Sequence, residues 1–182
     1  MAHIDLGFDE KELPGISGLL RYRPLTGGPL AALADALLTA PNSLSRGERE
    51  LIAAQVSARN ECGFCRDSHA AAAAAQLEPG MSLVEQVRAD PATAPISDKL
   101  RALLRLADVV REDGRAVTPS LVDDARAAGA TDVEIHDTVL IAAAFCMFNR
   151  YVDGLGTVAP DDPAAYAASA QRIVAMGYGR PA

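Results

Sequence analysis

Glu61-Cys62-Gly63-Phe64-Cys65-Arg66-Asp67-Ser68-His69 carries two thiols and an imidazole at positions i, i+3 and i+7. The residues around it read as helix, and on a helix these three positions share one face. Both sulfurs and the ring therefore point the same way. The sulfurs are close enough to bridge, and His69 is one turn from Cys65. At a helix N-terminus, free backbone N–H groups and the macrodipole favour a thiolate, and a nearby imidazole does the same. A thiolate can attack a peroxide oxygen to give a sulfenic acid, and a second thiol three residues away can condense with it to a disulfide. Two other readings stand beside this one. The cysteines can be small buried hydrophobes near a packed histidine. Alternatively Cys62, Cys65, His69 and Glu50 can hold zinc, although two thiolates at i, i+3 on one helix suit tetrahedral zinc less well than ligands on loops.

Working outward, the chain reads as helices throughout, with no alternating apolar and polar strand pattern. Ser45-Arg46-Gly47-Glu48 fits a capping box and opens a helix to about Asn60, with Leu51, Ile52 and Val56 on its buried stripe. Glu50 lies on that helix, twelve residues before Cys62, so it reaches the cysteines if the hairpin closes. Glu48 serves the cap. Glu61-Cys62-Gly63 breaks direction, the next helix starts near Cys62 and continues to Leu77, and Pro79-Gly80 ends it. Upstream, residues 1–26 read as irregular, with Pro14, Gly15, Gly18 and Pro24 as breakers, and Gly28–Ala40 reads as the first firm helix. Downstream, helices are expected around Ser82–Ala89, after Ser97, after Thr118-Pro119, from the capping box Thr131–Glu134 to about Val152, and over Asp161–Met176. His136 reads as a core or interface histidine, Cys146 as a buried hydrophobe, and Phe64 as a packing residue over the sulfurs. Asn149 and Arg150 either hold the helix pair or bind substrate.

Composition agrees with an all-α fold. Of 182 residues 36 are alanine, and arginine outnumbers lysine 15 to 2, so helix formers abound. The length suits one domain. A net charge of −7 with no basic cluster argues against a nucleic-acid partner. The start, Met1-Ala2-His3-Ile4-Asp5, lacks a basic region followed by an apolar one, and the longest apolar run, Val139–Phe148, is too short to span a bilayer. A cytoplasmic location and no membrane contact are expected. In that compartment a CxxC is more often catalytic or metal-binding than structural. Neither CxxCH nor GxGxxG occurs, so no cofactor is expected.

Glu50, eleven residues, then Cys62-x-x-Cys65-x-x-x-His69 resembles the signature of the AhpD-like family, which contains alkylhydroperoxidases and belongs with the broader carboxymuconolactone decarboxylases. The likeness is strong over the hairpin 44–77, and Phe148–Gly156 resembles a late helix of the peroxidase-related branch. The resemblance implies a single multihelical domain over 1–182 with the CxxC at a helix N-terminus, and hydroperoxide reduction by the dithiol. It implies Cys65 as the peroxidatic thiol, Cys62 as the resolving one, and His69 with Glu50 as the proton relay. It implies no metal, an external dithiol protein as reductant, and a homo-oligomer, a trimer or hexamer, with a dimer as the alternative. One departure stands out: the best-known alkylhydroperoxidases carry a histidine between the cysteines where this chain has Phe64. Decarboxylation and a non-catalytic redox sensor or disulfide carrier are the alternative activities.

Overall fold

The hairpin that carries the cysteines stands at the centre of the computed structural model, which describes residues 1–178. Its first arm is α3 (Arg46–Arg59) and its second is α4 (Gly63–Ala74). The expected capping box is formed in full. The Ser45 hydroxyl accepts from the Glu48 N–H, and the Glu48 carboxylate accepts from the Ser45 N–H at 2.8 Å. After α3 the chain reverses through Glu61, whose φ of 60° is left-handed. Cys62 becomes the N-cap of α4, its N–H donating to the Ser57 carbonyl at 3.0 Å. Among the described residues every regular element is helical, and no strand is present.

The other helices wrap this hairpin. They are α1 (Ile16–Tyr22), α2 (Pro24–Thr39), α5 (Met81–Ala89), α6 (Asp98–Glu112), α7 (Pro119–Ala127), α8 (Asp132–Gly154) and α9 (Pro163–Met176), with a 3₁₀ turn at Gly114–Ala116. α3 packs against α4, α6 and α8 together. That is why Arg49 to Ser57 are buried without a gap, not along the narrow stripe expected of a surface helix. Leu51, Ile52 and Val56 meet Leu103, Leu104 and Leu106 of α6 and Ile141 and Phe145 of α8 in one core. Each such side chain contributes about 1.5–3 kcal/mol by leaving water. The N-terminus of α8 is tied down by Glu134, which accepts from Ser43 Oγ and Lys99 Nζ at 2.8 Å each. α9 lies across α4.

The N-terminal expectation needs correction. Residues 1–26 are not irregular throughout: α1 occupies Ile16–Tyr22, and α2 begins at Pro24, ahead of Gly28. Pro24 is the first residue of α2, where a missing N–H has no cost, and Gly18 is buried within α1. His136 is also corrected as a core residue, because its side chain is 70% exposed and paired with Asp137. Cys146 packs against the core but is half-buried. Among the described residues no helix is long and apolar enough to cross a membrane.

Candidate active site

The hairpin closes as Glu50 required. Glu50 Oε2 and His69 Nδ1 are 2.7 Å apart, and both side chains are buried. Glu50 comes from the all-buried stretch of α3, His69 from the face of α4 that packs on it. His69 is held edge-on by Phe145 of α8, with ring centroids 4.5 Å apart at 86°. A second group, which the sequence did not single out, joins them. The Tyr178 hydroxyl donates to Glu50 Oε1 at 2.7 Å and stands 3.2 Å from His69 Nδ1.

Cys62 and Cys65 sit at the first turn of α4 with exposures of 0% and 3%. Val152 of α8, Ile16 of α1 and Phe64 pack against them. Phe64 is therefore a packing residue over the sulfurs, as expected. Its ring lies against Gly15, where an added Cβ would stand 2.3 Å from a ring carbon. Gly15 also has φ of 60°, so both sterics and backbone demand glycine there. On the other side Phe64 meets Tyr166 of α9, centroids 6.1 Å apart. Beyond Tyr166 a groove of about 540 Å³ runs between α4, α5 and α9, with alanines such as Ala70, Ala71, Ala74 and Ala170 beside the charged Asp67, Glu85, Arg88 and Asp161 in its lining.

The two thiols are not equivalent. They share a hydrogen bond that pushes the Cys62 pKa up and the Cys65 pKa down. For Cys62, burial and a neighbouring Asp153 add to the rise. For Cys65, burial opposes the fall, while the charge of His69 and a hydrogen bond from Asn149 support it. The surroundings differ in the same sense: the His69 imidazole and the Asn149 amide act on Cys65, while the Asp153 carboxylate is hydrogen-bonded to Cys62. Asn149 is itself fixed. Its Nδ2 donates to Ser57 Oγ at 3.0 Å and its Oδ1 accepts from Asn60 Nδ2 at 2.8 Å. Of the two residues left open in the sequence, Asn149 is buried behind the thiols, whereas Arg150 is exposed and donates to the Cys146 carbonyl. Among the described residues no three His, Cys, Asp or Glu side chains are grouped to hold a metal ion.

The constellation can hold a thiolate at Cys65, keep a proton on Cys62, and pass a proton along Glu50 and His69. Tyr178 and Asn149 were missed or left open because they lie 109 and 84 residues from His69 and Cys65 in sequence. No local spacing links them. The isolated Gly177-Tyr178 after α9 is the one signal a sequence reader could have used for the tyrosine.

The carboxymuconolactone decarboxylase family profile matches residues 24–85, which contain Glu50, both cysteines of the motif and His69. An uncharacterised peroxidase-related protein from Ralstonia eutropha JMP134 with an alkylhydroperoxidase AhpD core is 26% identical. The likeness covers 89% of this chain and 85% of that one, with a TM-score of 0.77. An uncharacterised peroxidase-related protein from Silicibacter sp. TM1040 is 23% identical over 87% of this chain and 82% of its own, with a TM-score of 0.76. A protein of unknown function from Agrobacterium tumefaciens, provisionally assigned as antioxidant defence protein AhpD, is 20% identical. It matches 79% of this chain and 97% of its own, with a TM-score of 0.68. The last two speak for the fold. No curated protein matches the chain.

Proposed function

We propose, from the carboxymuconolactone decarboxylase family profile over residues 24–85 and the likeness to a protein with an AhpD core, that the chain is an AhpD-like thiol-dependent peroxidase acting on hydroperoxides. The observation that carries this reading is the unequal thiol pair beside the buried Glu50–His69 contact of 2.7 Å. The Cys65 thiolate attacks the outer oxygen of ROOH. The O–O bond breaks, Cys65 becomes a sulfenic acid, and the departing alkoxide takes a proton from the His69–Glu50 pair as ROH. The Cys62 thiol then attacks the Cys65 sulfur, forming the disulfide and releasing water. A dithiol protein reduces this bridge by exchange and leaves with a disulfide of its own. Such a cycle needs a reducing compartment, consistent with a cytoplasmic setting. The exposed apolar face of α8 supports a homo-oligomer; the likeness to AhpD-like proteins points to a trimer or a hexamer built from trimers, with a dimer as the alternative.

The test is peroxide turnover. With a small dithiol as reductant, the wild type consumes many equivalents of a hydroperoxide per chain, and Cys65→Ser consumes none. One equivalent followed by arrest would instead indicate a redox sensor or disulfide carrier. Decarboxylation is the second reading, favoured by the family profile over 24–85. It has no use for a dithiol, so a Cys62→Ser, Cys65→Ser chain that still releases carbon dioxide from a lactone acid would replace the peroxidase.

A further inference from the structure

The far end of the chain reaches the Glu50–His69 pair. After Met176 the backbone turns at Gly177, with φ of 74°. A Cβ there would stand 2.4 Å from Asp35 Oδ1. The next N–H, that of Tyr178, donates to the same oxygen at 2.8 Å. Asp35 of α2 thus latches the segment, and glycine is required for the latch to close. The latch delivers the Tyr178 ring onto His69, with centroids 5.9 Å apart and planes 26° from parallel.

At that position the hydroxyl has one productive role. Burial and the adjacent Glu50 carboxylate hold the phenol well above its ordinary pKa, so it stays a donor. It donates to Glu50 Oε1, which leaves Oε2 for His69 Nδ1. A carboxylate can only accept, so Nδ1 carries the imidazole proton and Nε2 is left to receive one. We propose that Tyr178 is a positioning residue: its hydroxyl fixes the orientation of Glu50 and, through it, the tautomer of His69 that supports the Cys65 thiolate. This rests on the reading of Glu50 and His69 as a relay. It makes the C-terminal turn a working part of the site, supplied by the element that closes over α4.

The experiment compares Cys65 alkylation by iodoacetamide, followed by peptide mapping, in the wild type, Tyr178→Phe, Glu50→Gln and the double variant. Phenylalanine keeps the ring and removes the hydroxyl, so a purely packing role predicts wild-type reactivity. The expected result is a loss of about three- to tenfold in Tyr178→Phe, the order for the net contribution of one ordinary hydrogen bond. No further loss is expected when Glu50 is already glutamine, since the hydroxyl acts through that carboxylate. Wild-type reactivity in Tyr178→Phe, or losses that multiply in the double variant, would overturn the proposal. The ring ¹⁵N spectrum of His69 in the unmodified chain decides independently of any variant's folding: Nδ1–H is expected, and a dominant Nε2–H form would also overturn it. Neither readout involves peroxide, so a chain that lacks peroxidase activity would sink the functional reading while leaving this one to be judged separately.

Discussion

Cys62 and Cys65 are separated by one helical turn, yet Cys65 has His69 and Asn149 beside it and Cys62 has Asp153. The lowered pKa of Cys65 means that its thiolate persists at pH values where a free thiol, near 8.5, is protonated. Limited alkylation at neutral pH should therefore mark Cys65 and spare Cys62. Replacing Cys62 by alanine removes the shared hydrogen bond, so the reactivity of Cys65 should move to higher pH. Preferential labelling of Cys62 would reverse the assignment. For the relay, Glu50→Gln and His69→Asn should each slow thiol oxidation by about 10²–10⁴-fold while circular dichroism stays helical. An unchanged rate in either variant would remove that residue from the chemistry. At this scale the sequence was informative wherever partners lie within one hairpin. The twelve-residue step from Glu50 to Cys62 spans one helical hairpin, and its closure brings Glu50 onto His69; Cys62 itself is the extended N-cap residue of α4, so the helical part of the expected face begins after it. Tyr178 and Asn149 reach the site through tertiary packing, which no spacing encodes.

Among the elements, the caps were legible and the N-terminal segment was not. Ser45, Ser97, Thr118 and Thr131 each cap the helix they were expected to start, because a capping side chain needs partners two or three residues away. Glycine and proline in residues 14–24 looked like breakers, but Pro24 starts a helix and Gly15 makes room for Phe64. Gly15→Ala should expel the Phe64 ring and force a left-handed residue, at a cost of about 1–3 kcal/mol. Denaturant unfolding should register the loss, and Cys62 should become more accessible to thiol reagents; unaltered stability and access would show that Gly15 does not seat the ring. α8 is held through Glu134. Burial pushes its carboxyl up, but Lys99, the Thr131 N–H and Ser43 outweigh that and bring it to about 2. A carboxylate whose folded pKa is depressed stabilises above its unfolded value and loses that contribution as pH falls through the folded one. Thermal stability should therefore decline between about pH 4.5 and about pH 2. Glu134→Gln should flatten that decline, and an equally steep one in the variant would show that other groups cause it.

At the scale of the whole molecule, the all-helical class was readable from alanine content and the absence of alternation. The depth at which α3 is buried was not, since it depends on α4, α6 and α8 enclosing it together. α8 carries the longest apolar run of the chain, Val139–Phe148. It is central on one side, but Val133 is 62%, Leu140 38% and Met147 42% exposed along the other. We expect this stripe to be covered by a copy of the chain, with closed symmetry. Leu140→Glu with Met147→Glu should reduce the mass measured by sedimentation equilibrium to that of one chain, and a wild-type monomer would refute the expectation. The account as a whole turns on which sulfur meets the peroxide. Cys62→Ser, treated with one equivalent of hydroperoxide in the presence of dimedone, isolates that step, and mass spectrometry of the peptides reads it. The account predicts one dimedone adduct, on Cys65. An adduct on Cys62 in the Cys65→Ser chain, with none on Cys65 in Cys62→Ser, would contradict it.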